Sequence, residues 1–172
     1  MISAIAAIDE NYGIGYKNEL LCHIKEDLKH FKELTSNSIV VMGRKTWESL
    51  PTKPLPNRIN VVITNSIEST EIVEYKDKSA FTVYMNLNQT IKAINILDKA
   101  CNIFIIGGGQ TYKEFLPFCD YVYLTRIHKS FENIDTYFPK LNKDDWEVLE
   151  TDGLKRQEDI EYHFEIYKKI KK

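Results

Sequence analysis

Five short runs, ISAIAAI (2–8), SIVVMG (38–43), INVVIT (59–64), FTVYM (81–85) and IFIIGG (103–108), are apolar almost without interruption and rich in β-branched residues. A strand with one wet face alternates polar and apolar side chains. An unbroken apolar run instead predicts a strand covered on both sides, the situation of a parallel sheet whose crossover helices lie on its two faces. Helical periodicity falls between the runs, at 25–35, 44–50, 87–97 and 110–116. Beyond residue 120 the pattern changes: YVYLTRIHK (121–129), WEVLET (146–151) and EYHFEIYKKI (161–170) alternate more, which predicts antiparallel pairing at one edge. The expected fold is α/β: a single domain over residues 1–172, with a mixed, mostly parallel eight-stranded sheet flanked by about four helices. No linker, composition break or internal repeat argues for a second domain.

Composition narrows the partners. With 43% apolar and 28% charged residues and a net charge of −2, neither a nucleic-acid surface nor an acidic tail is expected, and the basic KKIKK at the end reads as a solvated terminus. The three cysteines, Cys22, Cys101 and Cys119, show no paired spacing, so a reducing compartment fits better than a disulfide framework. MISAIAAI lacks a basic leader and is too short for a secretory core or a membrane span, which leaves a soluble, cytoplasmic protein as the expectation. His23, His30, His128 and His163 stand apart from one another and from carboxylates at ligand spacing, so no metal site is expected. Hydrolytic chemistry has no support either, because no nucleophile elbow is present.

In open α/β sheets ligands gather at the carboxyl ends of the strands, so the residues that follow each run carry the functional argument. After IFII come Gly107, Gly108 and Gly109 and then a helical segment; backbone that close-approaches a ligand and a helix start with free N–H groups suit a phosphate, although a plain tight turn looks the same. After SIVVM comes GRKTWESL, where Gly43 turns the chain and Arg44, Lys45 and Thr46 open a helix. Cations there oppose the helix dipole, which favours an anion-binding role. Two such turns suggest one extended ligand such as a dinucleotide. After the first run, DENYGIGYKN (9–18) reads as a loop able to cover a site, and PLPNR (54–58) presents Arg58 behind two stiffening prolines. In LLCHIKEDLKHF (20–31), helical winding puts Asp27 on the apolar arc of Ile24, Leu28, Phe31 and Leu34, where a carboxylate needs a partner or a raised pKa.

MISAIAAI, GIGYKN, EDLKHFK, VMGRKTWESL, PLPNR, IIGGGQTYKEFLP, YLTRI and DTYFP, in this order, resemble the dihydrofolate reductase family from Met1 to about Phe164. The resemblance implies NADPH as cofactor and dihydrofolate as substrate, with hydride transfer giving tetrahydrofolate, in a monomer with no membrane or nucleic-acid partner. It assigns Asp27 to the pteridine 2-amino group and N3, with Thr125 bonded to that carboxylate, as the catalytic pair. It assigns Ile5, Ala7, Leu28, Phe31, Leu50 and Ile106 to the apolar walls, and Arg58 to the α-carboxylate of the glutamate tail. On the cofactor side it implies Ala7, Ile14, Gly15, Asn18 and Leu20, then Gly43, Arg44, Lys45 and Thr46, then Thr64 and Asn65 near the 2′-phosphate. Ile106, Gly107, Gly108, Gly109, Gln110, Thr111 and Tyr112 complete that set, with a cis peptide between the first two glycines. Asp135 is implied to steady the GIGYKN loop.

The chain departs from the family pattern in two places. Leu21-Cys22 stands where Pro-Trp is usual, which bears on water structure and turnover rate, and Gln110 stands where an arginine often follows the glycines. Two other readings remain open at the level of sequence: a pyrimidine reductase of the riboflavin-biosynthesis type, and a folate- or NADPH-binding protein with weak or no catalysis.

Overall fold

The computed structural model describes residues 1–67, 69–74 and 80–170; Lys171 and Lys172 of the terminal KKIKK lie outside them. In chain order the elements are β1 (Ile2–Ile8), β2 (Gly13–Tyr16), β3 (Glu19–Leu20), α1 (Lys25–Thr35), β4 (Ile39–Gly43), α2 (Arg44–Ser49), β5 (Arg58–Ile63), β6 (Glu71–Glu74), β7 (Ala80–Met85), α3 (Leu87–Leu97), β8 (Ile103–Gly107), α4 (Gly109–Phe115), a 3-10 turn (Leu116–Phe118), β9 (Tyr121–Ile127), β10 (Thr136–Tyr137), β11 (Trp146–Thr151), β12 (Lys155–Gln157) and β13 (Ile160–Lys169).

All eight expected strands are present and share one sheet, in the order β11-β13-β9-β1-β8-β4-β5-β7-β6, with β12 paired to β13. From β9 to β7 the neighbours run parallel. β13, β11, β12 and β6 attach antiparallel at the two ends. The short β6 and β12 bring the sheet to ten strands.

The apolar runs of the central strands β1, β4 and β8 are buried from both faces, as their pattern requires, whereas β5 and β7 nearer the edge are covered less completely, with Ile59 of β5 exposed. Val41 of β4 packs with Ile8, Ile105, Phe115 and Leu124 on one side. Its neighbours Val40 and Met42 pack with Ile5, Val62 and Phe104 on the other. All three β4 residues have no solvent exposure. α3 begins with a capping box in which Asn86 and Gln89 satisfy each other's backbone N–H, which fixes the crossover from β7 to β8. Among the described residues no helix is long and apolar enough to cross a membrane.

This topology creates the place for a ligand. The chain runs from β1 through α1 to β4 and on to β5 on one side, and β8, inserted later between β1 and β4, leads back across β1 to β9 on the other, so the connections leave β4 and β8 in opposite directions and part the layers between them. The ends of β1, β4 and β8 lead into the DENYG loop, the GRKT turn and the glycine run. A separate small sheet, β10-β2-β3, lies over this end and carries the GIGY residues.

Candidate active site

Asp27 occupies the first turn of α1. Its Oδ1 accepts the hydroxyl of Thr125 at 2.5 Å. Thr125 is on β9, where it registers with Ala7, the penultimate residue of the parallel β1, so the carboxylate sits near the carboxyl ends of these two strands. Burial pushes the Asp27 carboxyl above the usual carboxylate range; the Thr125 bond and the nearby His30 pull the other way and do not cancel it. Oδ2 takes no hydrogen bond from any described residue. A half-satisfied carboxylate in an apolar surrounding is a binding group waiting for N–H donors.

The expected walls gather beside it. Ile5, Phe31, Leu50 and Ile106 belong to one apolar cluster with Met42 and Phe104. Ala7 packs instead with Cys22 and Ile24. Leu28, expected on the inward arc of α1, is 44% exposed. The helix is thus covered at Ile24 and in part at Phe31, and open at Leu28. Thr35 at the other end of α1 anchors Arg58, whose Nε donates to the Thr35 hydroxyl at 2.9 Å while Nη1 and Nη2 donate to the carbonyls of Pro56 and Lys32. The guanidinium also lies over the Phe31 ring. Only 5% of Arg58 is exposed, and no described carboxylate pairs with it. Three of its five N–H groups are used in these bonds, which leaves two without a described partner.

The two candidate phosphate turns prove to be one structure. A Cβ added to Gly43 would stand 2.9 Å from the Thr111 hydroxyl and 4.0 Å from the Gly108 nitrogen, and one added to Gly108 would meet the Thr46 hydroxyl at 3.4 Å. Glycine at position 43 therefore lets the starts of α2 and α4 come together, with Thr46 and Thr111 between them. The Gly107–Gly108 peptide is cis, as the resemblance implies, and Gly107 has φ of +121°. Tyr112 closes the floor: its hydroxyl donates to the Ile5 carbonyl at 2.7 Å, tying α4 to β1. Farther along, Thr64 and Ser66 share a hydroxyl hydrogen bond of 2.7 Å. They line a cleft of about 310 Å³ together with Arg44, Trp47 and Tyr84.

A family model described as Dihydrofolate reductase matches residues 1–169. The chain belongs to the dihydrofolate reductase family. It is 36% identical over 171 residues to the dihydrofolate reductase of Bacillus subtilis, covering 98% of this chain and 95% of that one. Identity to the Haemophilus influenzae dihydrofolate reductase is 35% over 93% of this chain and 92% of the relative. To that of Buchnera aphidicola it is 41%, over 81% of this chain and 79% of the relative.

Against the residues that the family resemblance implies, the covering loop is held rather than free. Asp135 accepts the Lys17 backbone N–H at 2.8 Å, and its own N–H donates to the Gly15 carbonyl. The Lys17 N–H and then the Thr136 hydroxyl, both donating to the carboxylate, hold the exposed Asp135 carboxyl below its ordinary range. Ile14 packs on the core, while Asn18, at φ of 63°, and Leu20, 51% exposed, face outward on the β2–β3 hairpin. Asn65 is exposed next to the Thr64–Ser66 pair. Arg44 is engaged by Glu48 at 2.8 Å, and Gln110 by Glu114 at 2.6 Å, both on their own helices. Lys45 lies close enough to Asp135 for its charge to act on that carboxylate. Cys22, the departure from the family pattern, is half-buried, and its thiol is pushed up first by burial and then by the Asp27 charge.

Sequence reasoning passed over several residues that build this end of the sheet. Trp47, Ser66 and Tyr84 line the Thr64 cleft. Asp9 is 1% exposed and accepts the backbone N–H of Asn11, Gly13 and Phe131, shaping the loop after β1. The Asp-x-Asn of an Asx turn, with Gly13 two residues beyond it, was the available signal for Asp9.

Proposed function

We propose that this chain is a dihydrofolate reductase that uses NADPH to reduce dihydrofolate to tetrahydrofolate, feeding one-carbon metabolism and thymidylate and purine synthesis. The observation that carries the reading is the Asp27 carboxylate, bonded on one oxygen by Thr125 and without a described partner on the other, beside an apolar cluster that includes Ile5, Phe31, Leu50 and Ile106. Asp27 would hold the pteridine 2-amino group and N3 in a paired contact and favour the proton that ends on pteridine N5. Thr125 orients the carboxylate. Ile5, Ala7, Leu28, Phe31, Leu50 and Ile106 exclude water from the ring, and the two spare N–H groups of Arg58 suit the α-carboxylate of the glutamate tail.

The residues present fit NADPH, which supplies the hydride when bound. A side chain at Gly43 would fill the cradle between Gly43, Thr46, Gly108 and Thr111, so the turn is kept open for backbone N–H groups to face a pyrophosphate. Arg44, Lys45, Thr46, Thr64 and Asn65 supply charge and hydroxyls for the remaining phosphate, and Ile14, Gly15, Asn18 and Leu20 supply the cover over the nicotinamide end. A cytoplasmic monomer, single-domain over residues 1–172 and acting on small molecules alone, completes the proposal.

The direct test is turnover with dihydrofolate, followed by loss of NADPH absorbance, with NADH run alongside. Consumption of NADPH in step with tetrahydrofolate formation supports it; binding of both ligands without turnover overturns it. Arg44→Ala should weaken NADPH about tenfold more than NADH, the loss of one charge-assisted phosphate contact. An unchanged cofactor ratio would place recognition of the 2′-phosphate elsewhere. Arg58→Lys should raise KM for dihydrofolate by about tenfold or more, because a lysine cannot keep three backbone and hydroxyl contacts while offering a fork to a carboxylate. A pteridine substrate without the glutamate tail should show no such change.

A further inference from the structure

The helix that carries Asp27 has no cap of its own. Its N-cap residue is Ile24, whose side chain accepts nothing, so the first N–H of α1, on Lys25, has no local partner. The partner comes from the far end of the chain. Gln157, the last residue of β12, places Oε1 at 2.8 Å from the Lys25 nitrogen and donates its Nε2 to the His23 carbonyl at 2.9 Å. Only one orientation of the amide satisfies both contacts, so the side chain acts as a two-point clamp across Ile24.

A second contact from the same hairpin grips the next residue. Tyr162 on β13, 3% exposed, donates its hydroxyl to Glu26 Oε2 at 2.7 Å. Phe164, two residues on, stacks against His30 at 4.4 Å between ring centroids and so holds the following turn of α1. β13 is also the strand that registers Phe164 against Thr125 of β9. One hairpin therefore braces both members of the Asp27–Thr125 pair, one through the start of the helix and the other through the sheet.

We propose that Gln157 and Tyr162 are positioning residues for Asp27: the β12–β13 hairpin caps α1 in trans and sets the place and the dryness of the catalytic carboxylate. Neither touches the proposed substrate; both act through Lys25 and Glu26. The kinetic part rests on the dihydrofolate reductase reading, and the structural part does not.

Lys25 offers a decisive background. Proline at the first helical position has no N–H to satisfy, and Ile24 already has the extended backbone (φ −102°, ψ 115°) that a following proline demands. Gln157→Ala should speed amide exchange at Lys25 and at Leu28, whose N–H closes the first turn on the Ile24 carbonyl. It should also lower kcat/KM for dihydrofolate about fivefold, the equivalent of one lost cap, with NADPH affinity kept within about twofold. In a Lys25→Pro background the same substitution should have a clearly smaller effect on kcat/KM and Leu28 exchange, because the donor that Gln157 serves is gone and only its bond to the His23 carbonyl is left to lose. Tyr162→Phe should shift the midpoint of the Asp27 carboxyl, read by carbon NMR on the free protein, toward the ordinary carboxylate range as water reaches the first turn. Gln157→Glu keeps the acceptor for Lys25 and should recover part of the loss, and it serves if Gln157→Ala folds poorly.

Equal effects of Gln157→Ala in both backgrounds, or unchanged exchange at Leu28, would overturn the proposal. Absence of dihydrofolate turnover in the unmodified protein would instead defeat the functional reading alone, since exchange and the carboxyl titration are measured without substrate.

Discussion

Asp27→Asn is expected to lose about 10²-fold or more of its turnover at neutral pH while becoming the more stable protein. Asparagine keeps an oxygen for the Thr125 hydroxyl but cannot form the charged pair with the pteridine or favour its protonation. The stability gain follows from the raised carboxyl. Because burial lifts the folded-state pKa above the unfolded value, the native protein binds more protons than the unfolded chain between the two, and stability falls as pH rises through that window. The burial cost is then carried in full at neutral pH and is absent below the unfolded value of about 3.9. Thermal melts should show the variant above the unmodified protein at neutral pH, with the gap closing in acid; a variant less stable at neutral pH would mean the carboxylate is structural.

Gly107→Ala should produce the largest structural loss. Gly107 holds φ of +121°, a conformation that costs an alanine about 1–3 kcal/mol. The added methyl would also stand 3.3 Å from the ring and hydroxyl of Tyr112, which is pinned to the Ile5 carbonyl and has no room to retreat. Together these predict a loss of about 2–4 kcal/mol, or a melting temperature roughly 5–15 °C lower, and loss of NADPH binding even at temperatures where the protein is folded. Gly153→Ala is the control, because nothing lies within 4 Å of its added methyl; it should be neutral or slightly stabilising. Equal effects at the two glycines would show that the turn tolerates a side chain.

Much of the architecture was legible because the informative elements satisfy local rules. The periodicities at 25–35 and 87–97 coincide with α1 and α3, and GRKTWES and the segment after the glycines become α2 and α4 within a residue. Asp27 stood out as a charge on an apolar arc, and the glycine and GRKT turns as anion-binding patterns. What escaped was set by partners distant in sequence. GIGY carries two glycines and no alternation, so its pairing with Thr136 and Tyr137 gave no strand signal. KRQ, which falls between the runs at 146–151 and 161–170, pairs as β12 only because β13 folds back on it. Gln157 is an ordinary polar residue until the helix start it caps, 132 positions away, is brought beside it. Leu28 obeys the helical arc, yet lies where no other described element covers that arc.

The most direct measurement is the pH dependence of hydride transfer in a single turnover, comparing the unmodified protein with Asp27→Asn after NADPH and dihydrofolate are mixed. The account predicts that the unmodified protein transfers hydride, and that the gap to the variant, widest at neutral pH, narrows in acid as dihydrofolate becomes protonated in solution. A gap of constant size at every pH, or a protein that binds both ligands and transfers no hydride, would contradict it.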